Sequence, residues 1–360
     1  MLLSLKNMRF FPKTVTLIGV GTTAVLSLFG TPAMAFTLNN GSGDGNVTVG
    51  VDGFGSFGSS VGGNGSSNAV YDPVGAIAPA GTTYESGVAR GFGGTRTFLT
   101  SGNIGGSSGL TNPTVTGSST SASSSFTSGG LSFQLTQTLI PLFNGATRTG
   151  SALTQVYGIT NTSSASLDFD LVRYFDGDLD FDGSLIDGGG RLVANGTEIL
   201  FETDSATGTS DETTFIGITS EGGTIPTTNR LELDEFPALR SRIIQGVALD
   251  GIVTGDSGDA DQFVDAGAGY DITPTLRNTF SLGAAQSTNY TTRTIFGSGA
   301  PGEVVLPPLP PPDFSPSPGV PAPPTEIPFE FSPSLGILLL GAWGAIAQLN
   351  SFVQKCKSAL

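Results

Sequence analysis

Glycine is spread through this chain too densely for helices to carry the fold. It fills 53 of 360 positions, and each one inside a helix costs about 1 kcal/mol relative to alanine. What the chain offers instead is short apolar runs of alternating parity between Gly-, Ser- and Thr-rich spacers. Residues 36–130 carry such pieces at 47–51, 95–100 and 114–115. From residue 131 the alternation strengthens: Leu131, Phe133 and Leu135 share one face of one strand, and Leu167, Phe169 and Leu171 share one face of another, with Asp168 and Asp170 between them. Period-two patterning of this kind predicts strands with one face buried. Further strands are expected at 156–161, 191–194, 198–202, 214–219, 276–282 and 289–296, while 231–244 has helical character interrupted by Pro237. The expected fold class is all-β: an antiparallel β-sandwich-like domain with Gly/Ser-rich loops.

Charge and residue usage narrow the chemistry. The four lysines sit at 6, 13, 355 and 357, so residues 36–330 hold ten arginines against all thirty acids, a net charge of −20. Such a surface repels phosphate backbones and attracts cations, so no nucleic acid is expected as a partner. Histidine is absent, which excludes Ser-His-Asp and Cys-His catalysis and the His-containing zinc sites. Cys356 is the single cysteine, so no intrachain disulfide forms. An enzyme built on this chain would need a carboxylate pair. Arg173, Tyr174, Glu198 and Glu202 are conceivable members, with Arg173 expected to pair with a neighbouring acid.

The two ends read as addresses. Lys6, Arg9 and Lys13 precede an apolar stretch, and Ala33-Met34-Ala35 supplies small residues for cleavage before Phe36. Residues 1–35 are therefore expected to be an N-terminal signal peptide. Residues 36–130 form the first part of the body, 131–297 its sandwich core, and 298–327 a Pro-rich stalk extended at about 3.1 Å per residue. Residues 328–360 end the chain with an uncharged run and then Lys355 and Lys357. Using the flanks of that run, 331–353, gives one C-terminal transmembrane helix with its lysines on the inner side.

The stretch Pro328-Phe329-Glu330-Phe331-Ser332-Pro333-Ser334-Leu335-Gly336, followed by an apolar helix and a basic end, resembles the PEP-CTERM class of bacterial sorting tails. It is similar to a variant common in cyanobacteria. The resemblance covers about 33 residues. It implies an exosortase-type processing enzyme (a membrane-embedded cysteine peptidase-transpeptidase) as partner. It also implies an exported protein of the cell envelope, cell surface or extracellular matrix, anchored in the membrane unless the tail is processed.

Within the body the strongest chemical motif is Asp178, Asp180 and Asp182 followed by Gly183. Alternate carboxylates before a turn glycine suit Ca2+, a hard cation that takes many oxygen ligands. The twelfth position is Gly189 where an EF-hand has glutamate, and Asp187 at the tenth is the nearest substitute. A helix-flanked EF-hand is thus rejected, and Asp178, Asp180, Asp182 and Asp187 are the candidate metal ligands. A second acidic stretch, 250–271, reads as a solvated loop. The leading functional expectation is a structural or adhesive role, calcium-stabilised. The alternative is polysaccharide binding on tyrosines clustered on one sheet face; a carboxylate-based glycan-active enzyme comes third.

Overall fold

The computed structural model describes residues 35–308, apart from 62–67, 107–109, 180, 182, 185, 195, 205–213, 300 and 305. The segment expected to be a signal peptide, most of the expected stalk, the tail with its expected membrane helix, Asp180 and Asp182 lie outside the described residues. Among those described, no helix is long and apolar enough to cross a membrane.

The described chain is mostly strand, paired into three antiparallel sheets, with one short helix. The strands in chain order are β1 (Phe36–Asn39), β2 (Val47–Val51), β3 (Ala69–Tyr71), β4 (Ala80–Gly81), β5 (Thr83–Gly91), β6 (Arg96–Leu99), β7 (Thr116–Gly117), β8 (Ser121–Ser128) and β9 (Leu131–Asn144). After them come β10 (Thr147–Asn161), β11 (Leu167–Gly177), β12 (Gly188–Ala194), β13 (Thr197–Thr203), β14 (Thr214–Glu221), β15 (Leu231–Glu235), β16 (Ile272–Leu282) and β17 (Ser287–Ser298). The large sheet runs β12-β13-β14-β17-β10-β9-β8-β7, the middle sheet β15-β16-β11-β5-β6, and the small sheet β1-β2-β3-β4. Residue 130 falls in the turn of the β8–β9 hairpin, and β5 and β6 pair into the sheet of β11. Residues 36–130 and 131–297 therefore share their sheets.

The large and middle sheets pack face to face. Phe133, Leu135, Tyr157, Ile159 and Tyr290 of the large sheet meet Val88, Leu99, Phe169, Leu171 and Phe280 of the middle sheet in one buried cluster. The small sheet joins the same layer through Leu38, Val49 and Tyr71, which pack with Leu153 and Phe296 of the large sheet. The parity of β9 explains its placement: Leu131, Phe133, Leu135, Gln137 and Leu139 are buried while Gln134 and Thr136 are exposed. Removing such apolar surface from water supplies about 1.5–3 kcal/mol per large side chain.

The outer face of the middle sheet is covered at one end. Ala89, Phe98, Val172 and Tyr174 lie under Leu239 and Ile243 of α1 (Ala238–Ile244). The helical character expected over 231–244 is thus split: β15 occupies its first part, the Phe236–Pro237 peptide is cis, and the helix begins only after the proline.

Candidate functional site

Among the buried acids of this sandwich, Asp52 and Glu202 have surroundings that differ sharply. Asp52 is buried and saturated. Its Oδ1 accepts the backbone N–H groups of Phe54 (2.9 Å) and Ser56 (2.8 Å), and its Oδ2 accepts Ser101 N–H (2.7 Å) and the Ser101 hydroxyl (2.9 Å). Glu202 is fully buried, and neither of its carboxylate oxygens meets a hydrogen-bond donor among the described residues. A buried carboxylate without a partner costs several kcal/mol, so Glu202 marks the position to examine.

Strand pairing fixes what surrounds it. Glu202 shares the inward parity of β13 with Leu200, and across the ladders it faces Gly189 of β12 and Ile216 of β14. Where a side chain on Gly189 would stand, Phe201 O and Ile272 Cδ1 already approach. Carrying the β12–β13 register outward sets Asp187 opposite Asp204. Asp187 is tied by its backbone to Tyr270, and Asp204 Oδ1 accepts the Phe181 N–H at 2.8 Å. From the facing layer comes the end of β11, where a bulge between Asp176 and Gly177 breaks the register with β5. Bulges re-aim the chain at sheet ends. Here the Gly177 backbone comes so close that a Cβ on it would fall on Glu202 Oε1. Asp178 follows immediately.

Electrostatics agree with this convergence. Burial first, then the charges of Asp187, Asp176, Asp178 and Asp271, push the Glu202 carboxyl well above the carboxylate range. Burial, then Asp271, Glu85 and Asp178, raises Asp176 to about 9. Burial and Glu235 raise Asp271 to about 6. Carboxyls pushed up together in this way repel one another and take up protons or a cation.

Of the four predicted ligands, Asp178 and Asp187 both act on Glu202 through their charges without forming with it a group of oxygens within 4.8 Å of one another, and Asp180 and Asp182 lie outside the described residues. Gly183 takes φ +83°, the left-handed conformation that its place in the motif requires. The sequence pattern missed Glu202, Asp204 and Asp176 as neighbours of that loop. Arg173 corrects another expectation: it pairs with no acid among the described residues. Its guanidinium donates to Gly87 O (3.0 Å), Tyr174 O (2.7 Å), Ser86 Oγ (2.8 Å) and Thr294 Oγ1 (2.8 Å), all between the sheets. Glu198 is spent on Arg191 (2.9 Å) and Arg230 (2.8 Å).

The acidic stretch 250–271 does bring three carboxylates together. Asp256, Asp259 and Asp261 offer oxygens within 4.8 Å of one another, but Asp259 and Asp261 are exposed. Their oxygens accept loop N–H groups, Asp259 from Asp261 and Asp261 from Phe263, as acids in solvated turns do.

A second feature is a depression of about 390 Å³ at the uncovered end of the middle sheet, lined by Asp168, Asp170, Arg277, Thr279, Ser281 and Thr224 among others. Asp170 is clamped there by Arg96 (2.9 Å) and Arg277 (2.8 Å). The tyrosines do not gather on one face: Tyr71, Tyr157, Tyr174 and Tyr290 are fully buried.

No protein-family model matches the chain, and neither does any curated protein. Among solved structures it is similar to a galactose mutarotase-related enzyme from Lactobacillus acidophilus (8% identity, TM-score 0.35, covering 76% of this chain and 100% of that one). It is also similar to a protein from Synechocystis sp. PCC 6803 (9% identity, TM-score 0.33, covering 74% and 98%).

Proposed function

We propose that this chain is an exported structural module of the cell envelope or extracellular matrix. One observation carries the reading: every arginine of the body is engaged by the fold itself. Arg90 donates to Ser128, Arg148 to Ser151 and Arg293 to Pro307 O; Arg173 bonds between the sheets; and Arg96, Arg191, Arg230, Arg240, Arg242 and Arg277 are paired with acids. The body has no lysine, so these internal bonds leave an acidic exterior that repels polyanions and stays soluble. The buried tyrosines favour the same reading, since stacking a sugar requires an exposed aromatic face. Export and sorting by an exosortase-type enzyme complete the proposal on the strength of the two terminal segments.

A second reading is favoured by the depression at Asp168 and Arg277, whose carboxylate, guanidinium and hydroxyl groups match the donor and acceptor pairs of a neutral saccharide. One experiment separates the two. The full-length chain is titrated with a panel of neutral and anionic polysaccharides by calorimetry. The structural reading expects no saturable heat. A Kd tighter than about 1 mM that is lost in Asp168→Ala would overturn it in favour of glycan binding.

A further inference from the structure

We propose that two copies of this chain pair through the open edge of β8, joining their large sheets about a twofold axis at Phe126. The inference goes beyond the structural reading and stands apart from it. The depression at Asp168 lies on the other sheet, so the pairing holds or fails whether or not the module binds glycan.

The argument begins with charge. Between Arg96 and Asp168 the chain has a single charged residue, Arg148. This segment supplies β7, β8, β9 and β10, one half of the large sheet. On the outer face of β8 and β9 the exposed residues are Ser123, Ser125, Thr127, Gln134 and Thr136, all neutral. All thirty acids lie elsewhere. Two molecules with a net charge of −20 in the body repel one another through their acidic surfaces. They meet without that repulsion at β7 to β9.

The edge there is open. β7 covers only Ala122 and Ser123, which it meets with Gly117 and Thr116. Among the described residues, nothing pairs with Ser124 to Ser128 on that side. Residues 110–115, which lead into β7, bond instead to Thr100 O through Leu110 N–H and to Gly53 N–H through Asn112 Oδ1. The phase of the ladder follows from the turn. Gly129 and Gly130 both take positive φ and form a two-residue loop, which makes Ser128 and Leu131 a bonded pair. Bonded pairs alternate along an antiparallel ladder. β9 therefore takes the backbone groups of Ser124, Phe126 and Ser128, and those of Ser125 and Thr127 point to the open side. The bond from Ser118 N–H to Ser121 O sets the same phase from the β7 side. Edges are ordinarily blocked by a charge, a proline or a bulge. β8 has no charge and no proline, and its register with β9 is unbroken. The opposite edge of the same sheet is closed, where Asp187, Gly189 and Arg191 bond to the backbone of Tyr270, Val264 and Gln262.

A second copy, run antiparallel, satisfies what is open. With Phe126 on the axis, Ser125 pairs with the second copy's Thr127, and Thr127 with its Ser125, each pair exchanging both N–H···O bonds. Phe126 is stacked on Phe133 with ring centroids 4.8 Å apart and keeps 9% of its surface exposed. Its counterpart covers that remainder. On the outer face each Ser125 stands opposite a Thr127, and both hydroxyls donate and accept. The edge is thus complementary to itself, as a twofold interface requires.

The test uses the purified full-length chain in detergent, with Cys356→Ser throughout so that introduced thiols are the only ones. Ser125→Cys and Thr127→Cys are made separately, mixed and oxidised. In the proposed register these two positions on opposite copies are about 5.5 Å apart at Cα, within disulfide reach. Two Ser125 positions are offset by a further two residues, about 6.8 Å along the strand, and lie beyond it. A disulfide dimer is expected from the mixture and from neither variant alone, which separates edge pairing from two chains sharing a micelle. Thr127→Pro removes an N–H that faces the open side, and an edge tolerates proline. It is expected to weaken the dimer at least about tenfold in sedimentation velocity, with Tm unchanged. If it fails to fold, Thr127→Lys, which puts a charge at the joint from an exposed position, is expected to do the same. No cross-link in the mixture, equal cross-linking by either variant alone, or a dimer undiminished in Thr127→Pro and Thr127→Lys would each overturn the proposal.

Discussion

At the scale of single residues, Asp52 and Glu202 show how burial alone fails to define a role. Both acids sit in the interior, but Asp52 is consumed by four short hydrogen bonds that hold residues 52–56 and Ser101 together. The same segment is gripped from the large sheet, where Gln137 Nε2 donates to Asp52 O (3.1 Å) and Gln155 Nε2 to Gly55 O (2.6 Å). Truncation to Asp52→Ala leaves buried donors orphaned, each worth about 1–3 kcal/mol. Urea denaturation is therefore expected to register a loss of about 3 kcal/mol or more; a loss below about 1 kcal/mol would mean that water replaces the carboxylate. Neither role was legible in the sequence. Asp52 stands before glycines and reads as a turn. Glu202 falls in the run Glu198-Ile199-Leu200-Phe201-Glu202, where Ile199 and Phe201 make one parity wholly apolar and Glu202 shares the other with Glu198, so the alternation points Glu202 to the polar face.

At the scale of elements, strands with clean parity were legible: β9, β11, β16 and β17 lie where the alternation puts them, and the structure extends them by a few residues. β5 and β8 were not. In Ser-Ala-Ser-Ser-Ser-Phe-Thr-Ser of β8 only Ala122 and Phe126 are apolar, and the strand is held by its eight partner residues rather than by its own propensity (Ser121 to Ser128 pair in register with Leu131 to Thr138). The acidic loop was legible as a run of carboxylates because its spacing is local. Its acidic neighbours Glu202 and Asp176 come from β13 and the end of β11, and no spacing rule joins residues brought together by sheet packing. Gly177 gives that packing a test. The atom its Cβ would strike is the far end of a flexible glutamate, so Gly177→Ala displaces the carboxylate without forcing the backbone apart. The variant is expected to lose about 1 kcal/mol or less in urea denaturation. A loss above about 3 kcal/mol would show that the backbone, and not the glutamate side chain, has to give way.

At the scale of the whole molecule, an exterior that is acidic and an interior cluster that is acidic make stability depend on pH in a direction unusual for carboxylates. Asp176 is raised to about 9, facing Glu85, Asp178, Asp271, Glu202 and the Tyr174 hydroxyl, with Arg240 paired to Glu85 nearby. Asp271 is raised to about 6. A carboxyl held above its unfolded value of 3.8 binds its proton more tightly in the folded state. Its contribution is therefore fully present below about pH 4 and is lost as pH climbs through the folded values. In EDTA, which removes any adventitious cation, Tm is expected to fall between about pH 5 and 9. A curve that rises over that interval would mean that the cluster is ionised in the folded protein and that the fold compensates its repulsion by other bonds.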